Sequence, residues 1–191
     1  NATIDGAGGT DTLRLATTQL DLSSTTLSSI EIIQGSSGND TILVDATADV
    51  ANITINGGDG NDTMYGDGSN DVAYGNAGSD SMQGGADNDV LYGGQGNDTL
   101  YGGEGADTLN GGLDNDALYG GVGNDSLYGG TGNDIVTGDS GVNTIDGSGG
   151  DDTLRGADGN DTLLGGTGND GQLELKFIRS EEHTSELQSH S

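Results

Sequence analysis

The sequence predicts an all-β protein built from a short unit that repeats along the chain. Cut into nines from Gly57, the chain keeps the same residue types at fixed positions through thirteen units, which end at Leu173. Each unit ends in three residues with an apolar side chain in the middle, and this alternation is typical of a short β-strand. No segment before residue 174 has the length and periodicity of a helix. The fold class is therefore all-β, and the repeat defines its architecture.

The repeat is regular at four of its nine positions. Position 1 is Gly in all thirteen units, and position 4 is Gly in ten. Position 6 is Asp in twelve units and Asn143 in the other, while position 8 is Leu, Ile, Val or Met in eleven. Chance does not hold four positions in register over such a length. The pattern Gly-Gly-x-Gly-x-Asp-x-U-x, with U apolar, therefore indicates a solenoid of stacked units.

The residue types within the unit favour a calcium site. Glycine allows positive φ, so a tight turn can form and its carbonyl oxygens can converge. The Asp at position 6 adds carboxylate oxygens, and a shell of oxygens alone suits calcium. Magnesium is less favoured, because it tends to keep its waters. The chain has no Cys, so thiolate sites for zinc, copper or iron are excluded.

This pattern is the calcium-binding nonapeptide known from parallel β-helices. Over residues 57–170 the chain resembles the repeats-in-toxin (RTX, haemolysin-type calcium-binding) family. The resemblance implies a flattened right-handed parallel β-roll with two nonapeptides per turn. Units two apart would then stack at the usual strand spacing of ~4.8 Å, with calcium between them.

The predicted metal ligands are the position-6 carboxylates and the carbonyl oxygens of the Gly turns. The carboxylates are Asp62, Asp71, Asp80, Asp89, Asp98, Asp107, Asp116, Asp125, Asp134, Asp152, Asp161 and Asp170. The carbonyls include those of Gly58, Gly60, Gly94, Gly96, Gly103, Gly105, Gly121, Gly123, Gly130 and Gly132. Two isolated repeat-like stretches nearer the N-terminus add Asp11 and Asp40 as further candidates.

The strongly negative net charge indicates that the fold requires cations. The chain carries 32 acidic and 4 basic residues, for a formal charge of -28, and only 29% of it is hydrophobic. Such a composition is typical of a disordered chain, and it disfavours binding to nucleic acid or to an anionic membrane. No apolar run is long enough for a membrane-spanning helix. Up to about eleven calcium ions between stacked units would offset most of this charge. We therefore expect disorder without calcium and folding with it.

Three regions are expected along the chain. Residues 1–56 contain repeat-like stretches and β-type runs, which indicate longer rungs of a parallel β-solenoid leading into the roll. Residues 57–173 are the thirteen-unit roll itself, and 174–191 are expected to be a disordered tail. Residues 179–191 resemble a translated sequencing adaptor. Since the chain also begins at Asn1 without an initiator Met, we expect it to be a fragment.

The family resemblance implies a calcium-binding module of a secreted bacterial protein. It implies export by a type I secretion apparatus and an extracellular, in some cases cell-surface, location. The module could also serve a secreted hydrolase, a pore-forming toxin or an adhesin stalk that binds glycan or ice, or it could be structural without calcium. Catalysis is not expected, because there is no Cys and both His183 and His190 lie in the tail. Six tyrosines, all at position 9, predict cross-strand packing in preference to a sugar site.

Overall fold

The structure, a computed structural model, describes residues 3–5, 12–14, 19–21, 26–28, 30–44, 52–176 and 187–188. These residues form β-strands and no helix. This part of the chain thus contains no helix long and apolar enough to cross a membrane. The strands are β1 Thr3–Asp5, β2 Thr12–Arg14, β3 Gln19–Asp21, β4 Thr26–Ser28, β5 Ile32–Gln34, β6 Thr41–Leu43, β7 Thr54–Asp59, β8 Thr63–Gly68, β9 Val72–Ala77, β10 Ser81–Ala86, β11 Val90–Gln95, β12 Thr99–Glu104, β13 Thr108–Leu113, β14 Ala117–Val122, β15 Ser126–Thr131, β16 Ile135–Ser140, β17 Thr144–Gly149, β18 Thr153–Asp158, β19 Thr162–Leu164, β20 Gly171–Lys176 and β21 Leu187–Gln188.

Successive strands of the repeat region alternate between two parallel sheets. One sheet has the order β20-β18-β16-β14-β12-β10-β8-β6-β3, and the other β2-β5-β7-β9-β11-β13-β15-β17-β19-β21. From β5 onwards, each strand pairs in parallel with the strand two further on, as Leu91 does with Leu109. One full circuit of the roll, here called a coil, thus contains two nonapeptides. The prediction of a parallel β-roll with two units per turn is confirmed.

The strands are twice as long as the repeat suggests. The alternation predicts a three-residue strand at positions 7 to 9, but most strands of the roll continue through positions 1 to 3 of the next unit. In the β10–β12 pair, for example, Gly85 lies opposite Gly103 and Ala86 opposite Glu104. Because glycine has no Cβ, it can take part in the ladder with a positive φ, which most residues avoid. The tight turn is therefore only positions 4 to 6.

The interior of the roll is a single file of apolar side chains. Those at position 8 are almost completely buried, and glycines at position 1 occupy the neighbouring inward positions. Position 8 contributes Met64, Ala73, Met82, Leu91, Leu100, Leu109, Leu118, Leu127, Val136, Ile145, Leu154 and Leu163 to this core. Each coil buries only two such side chains, so the core is thin for its length. The hydrophobic contribution to stability is correspondingly small.

Four of the described N-terminal strands, β2, β3, β5 and β6, extend the two sheets of the roll, whereas β1 and β4 form a separate parallel pair. Thr41 of β6 lies opposite Thr63 of β8, and Ile32 of β5 opposite Thr54 of β7. These pairs span 22 residues in sequence, whereas pairs inside the roll span 18, so the first rungs are longer. The buried side chains of Ile33, Ile42 and Ile55 continue the apolar file.

At the C-terminal end the regular pairing changes. Strand β20 pairs with β18 through a shifted register, and β21 pairs with β19. Both β21 and the last part of β20 lie in the segment for which the sequence predicts a disordered tail. The remaining residues of that segment, and Asp11, lie outside the described residues. The proposed domain boundaries remain predictions.

Candidate metal centre

The Asp at position 6 closes each tight turn and directly precedes a strand. Asp62 precedes β8 and Asp98 precedes β12, for example. Since alternate units face opposite sheets, these residues form one column along each edge of the roll. One edge holds Asp62, Asp80, Asp98, Asp116, Asp134, Asp152 and Asp170, and the other holds Asp71, Asp89, Asp107, Asp125, Asn143 and Asp161. All of these except Asp170 are buried.

One carboxylate oxygen of each Asp ties two coils together. The backbone N–H of Asp62 donates to Oδ1 of Asp80 at 2.7 Å, and that of Asp80 donates to Oδ1 of Asp98 at 2.8 Å. The other edge repeats the arrangement, as in the bond from Asp71 N–H to Oδ1 of Asp89 at 2.8 Å. Each bond spans 18 residues and satisfies a backbone donor that would otherwise be buried without a partner. This ladder of side-chain acceptors is part of the fold.

The second carboxylate oxygen, Oδ2, has no hydrogen-bond partner in most of these residues. The buried Oδ2 atoms in this state belong to Asp62, Asp71, Asp80, Asp89, Asp98, Asp107, Asp116, Asp125, Asp134 and Asp152. A buried, unpaired carboxylate is strongly unfavourable, and proteins compensate by pairing it, protonating it or binding a cation. A water could donate a hydrogen bond to Oδ2, but it would leave the charge in place. A row of such atoms therefore fits a divalent cation.

The pKa values of these carboxyl groups reflect the same burial. Loss of hydration raises the pKa of Asp71, Asp89, Asp98 and Asp116 to about 7, and the backbone hydrogen bond to each one counteracts part of this rise. The pKa of Asp62, Asp125 and Asp152 is raised to about 6 for the same reason. Asp80, Asp107, Asp134 and Asp161 shift in the same direction. Near neutral pH, a proton and a cation would thus compete for these sites.

The glycine at position 1 makes room for Oδ2 and contributes a carbonyl beside it. A Cβ on Gly66 would lie 2.8 Å from Oδ2 of Asp71 and 2.6 Å from the carbonyl oxygen of Gly84, one coil further on. Both contacts are too short for a real side chain. The carboxylate oxygen and the carbonyl oxygen thus border the same space, where both would be available to a cation that takes oxygen ligands. Sequence reasoning missed the position-1 carbonyls, although position 1 is the only position that never varies.

The predicted carbonyls at positions 2 and 4 point along the roll. A Cβ on Gly123 would collide with the carbonyl oxygen of Gly105, and one on Gly121 with that of Gly103. Glycines at these two positions have positive φ, such as 141° at Gly105 and 123° at Gly103, as the tight turn requires. These oxygens face the next coil. Whether they are ligands remains a prediction.

Three predicted position-6 ligands depart from the common arrangement. Oδ2 of Asp40 accepts hydrogen bonds from the backbone N–H of Ser36 at 2.6 Å and from its hydroxyl at 3.0 Å, so it already has partners. Asp161 accepts the usual bond from the N–H of Asn143 at 2.8 Å, but at 7% exposed it is less deeply buried than the other Asp of its column. Asp170 is partly exposed and accepts a longer bond of 3.3 Å from the N–H of Asp152. These ends of the columns offer less to a cation than the middle does.

No three Asp, Glu, His or Cys side chains converge on one point among the described residues. A cation held by this part of the chain would therefore need backbone oxygens as well as carboxylates. The sequence predicts this mixed set of donors, and hard oxygen ligands of both kinds are typical of calcium sites.

A second, exposed ladder runs beside the Asp columns and was not foreseen. At position 5, Oδ1 of Asn97 accepts a hydrogen bond from the N–H of Asn115 at 3.0 Å, and Asn115 accepts one from Asn133 at 2.7 Å. Each Asn side chain accepts a bond from the backbone of the next coil, whereas each Asp side chain accepts one from the backbone of the preceding coil. The recurrence of Asn at position 5 is thus explained by capping of the turn backbone.

Four of the six tyrosines form stacked pairs, one pair on each sheet, as predicted. The rings of Tyr74 and Tyr92 are 5.1 Å apart and within 6° of parallel. Those of Tyr101 and Tyr119, on the other sheet, are 4.9 Å apart and within 10° of parallel. Each ring face between partners is covered by the other ring, so it cannot stack on a sugar. The geometry favours cross-strand packing.

Comparison with known families agrees with this geometry. The family model described as RTX calcium-binding nonapeptide repeat (4 copies) matches residues 26–51, 54–82, 74–109, 101–136, 110–145 and 137–171. A search of curated proteins gave no match to the chain. The family matches cover most of the chain, and they include both the Asp columns and the coils that carry them. The chain therefore belongs to the RTX calcium-binding nonapeptide repeat family.

Proposed function

We propose that this chain is a calcium-dependent folding module of a secreted protein, and that its position-6 carboxylates hold the calcium. The observation that carries the proposal is the row of buried Oδ2 atoms without partners on Asp62 to Asp152. Each ion would supply the positive charge that these atoms lack, and carbonyl oxygens such as that of Gly84 would help to hold it.

Charge and core size support folding on calcium binding. Ten buried carboxylates with an unpaired oxygen repel one another in the metal-free chain, and two apolar side chains per coil offset little chain entropy. Calcium would remove the repulsion and contribute its binding free energy to folding. Because each coil contacts only its neighbours, ions bound in series would make the transition cooperative.

The proposed setting is outside the cell, where calcium is abundant. Family membership supports export by a type I apparatus, followed by folding on arrival. The module would serve a larger secreted protein such as an adhesin, a toxin or a hydrolase, and it would itself be a binding module without catalysis. Extracellular calcium modules use sites with a Kd of about 10⁻⁴ to 10⁻³ M. A folding midpoint below about 10⁻⁶ M calcium would contradict this setting, since the chain would then fold in the cytosol.

The proposal is tested by counting bound ions. Native mass spectrometry of the full chain, recorded at rising calcium and separately at rising magnesium, gives the number of ions per chain. We expect several calcium ions, up to about eleven, and far fewer magnesium ions. Calcium binding limited to one or two ions, or equal binding of magnesium, would overturn the proposal.

A further inference from the structure

Asn143 occupies a place in one Asp column where a carboxylate is expected. It lies at position 6 of residues 138–146, between Asp125 and Asp161 on the same edge, and it is 1% exposed. Its backbone N–H donates to Oδ1 of Asp161 at 2.8 Å, as its Asp neighbours do along the column. The residue is therefore built into the column and differs from the others only in its amide.

Hydrogen bonding fixes which way this amide faces. Oδ1 of Asn143 accepts the backbone N–H of Asp125 at 2.9 Å, so the NH₂ group takes the place that Oδ2 has elsewhere. A Cβ on Gly138 would lie 2.6 Å from Nδ2 of Asn143, much as one on Gly129 would lie 2.5 Å from Oδ2 of Asp134. Rotating the amide by 180° would bring its NH₂ against the N–H of Asp125 and leave both donors without an acceptor.

Nδ2 of Asn143 is buried and has no hydrogen-bond partner. It is a donor with a partial positive charge, placed where ten other units present a carboxylate oxygen. A cation there would lose one negative ligand and meet a hydrogen atom instead. A neutral oxygen acceptor, such as a water, suits this donor.

The exposed ladder changes in the same unit. The N–H of Val142 donates to Oδ1 of Asn124 at 2.8 Å, but the Val142 side chain offers no acceptor to the following coil. Both side-chain ladders of this edge are thus altered at residues 142 and 143. On the other edge the carboxylates continue through Asp134 and Asp152.

We propose that the Asn143 position binds a water in place of calcium, so that one of the two calcium columns is interrupted there while the other is continuous. This inference rests on the proposed function, because it assumes that Oδ2 atoms of the other units hold calcium. The column that contains Asp125 and Asp161 would then have one calcium site fewer than an uninterrupted column.

The test compares bound calcium in variants that add the same charge at two places. Native mass spectrometry at saturating calcium is recorded for the full chain, for Asn143→Asp and for Asn124→Asp. Asn124 is exposed and lies at position 5 of the same edge, so the second variant adds a carboxylate outside the column. We expect Asn143→Asp to bind one calcium more than the unchanged chain, and Asn124→Asp to bind the same number as the unchanged chain.

The outcomes separate the two proposals. If the unchanged chain binds several calcium ions and Asn143→Asp binds no more, this inference is overturned and the proposed function stands. If circular dichroism shows that Asn143→Asp does not fold in calcium, the inference is also overturned. An Asp at this position that holds calcium should be accommodated in the fold as the neighbouring Asp residues are. If the unchanged chain binds no calcium, both proposals fall. As a further check, Asp125→Asn should bind one ion fewer than the unchanged chain.

Discussion

The backbone N–H of Asp80 donates to Oδ1 of Asp98 at 2.8 Å, one coil further along the roll, while Oδ2 of Asp98 is buried without a partner. The two oxygens of one carboxylate therefore have separate roles. Oδ1 holds adjacent coils together, and Oδ2 makes that arrangement unfavourable until a positive charge reaches it. The same division recurs in both columns, so the fold and the ion requirement depend on the same residues.

Asp98→Asn separates these two roles. The amide Oδ1 can still accept the N–H of Asp80, but the NH₂ group replaces the unpaired oxygen. We expect the variant to bind about one calcium fewer and to need more calcium to fold, as shown by ion counting and by circular dichroism at rising calcium. Glu104→Gln is the matched control, since it removes one exposed charge and should change neither quantity. Equal effects of the two variants would contradict a site-specific role.

Gly105→Ala should destabilise the calcium-loaded roll. Gly105 has a φ of 141°, outside the left-handed region that Asn and Asp tolerate, and an added Cβ would collide with the carbonyl oxygen of Asp87. We expect a loss of about 1 to 3 kcal/mol in the free energy of unfolding, measured by denaturant titration in calcium.

Gly68→Ala is the control for that change. Gly68 does not have positive φ, and no atom lies within 4 Å of an added Cβ. We expect a change within about 0.5 kcal/mol. Equal changes in the free energy of unfolding for the two Ala variants would contradict the close stacking of coils at position 4.

Leu118→Ala should reveal how much the thin core contributes. Leu118 is fully buried, so its truncation leaves a cavity and should cost about 2 to 5 kcal/mol of unfolding free energy in calcium. Leu113→Ala removes the same atoms from a side chain that is 49% exposed, and it should cost less than about 0.5 kcal/mol. If Leu118→Ala and Leu113→Ala unfolded at similar midpoints in thermal unfolding, position 8 would not form the core.

Acid should partly replace calcium. Burial raises the pKa of Asp71, Asp89 and Asp98 from 3.8 to about 7, so the folded chain holds protons that the unfolded chain releases between these values. Metal-free stability is therefore greatest at low pH and is lost as the pH rises through about 7. In chelator, we expect the strand signal in circular dichroism to grow as the pH falls from about 8 to about 5. A signal that does not change with pH would argue against unpaired buried carboxylates.

The repeat predicts those parts of the molecule that depend on a single unit. The alternation within one strand predicts burial of Leu100, the recurrence of Asp at position 6 marks Asp98 as a candidate ligand, and the family pattern implies two units per coil. The role of Gly66 was not predictable, because its backbone needs no positive φ and only the stacking of coils brings the carbonyl oxygen of Gly84 against an added Cβ. The bond from Asn115 to Asn97 joins residues 18 apart, so it also depends on the stacking of coils.

The length of the strands was underestimated for a similar reason. Glycines at positions 1 and 2 favour a turn in isolation, since their backbone is permissive. In the roll they pair with glycines of the next coil, as Gly94 does with Gly112, and this pairing extends the ladder. Local preference was outweighed by hydrogen bonds to a neighbouring unit.

Calcium at the Asp columns should drive folding, and far-UV circular dichroism of the full chain at about pH 8 measures this. Spectra are recorded in chelator, in about 10 mM calcium and in about 10 mM magnesium, well above the expected affinity. Folding driven by calcium predicts a disordered spectrum in chelator and in magnesium, and a β-sheet spectrum in calcium. A β-sheet spectrum already present in chelator, or an equal response to magnesium, would contradict it.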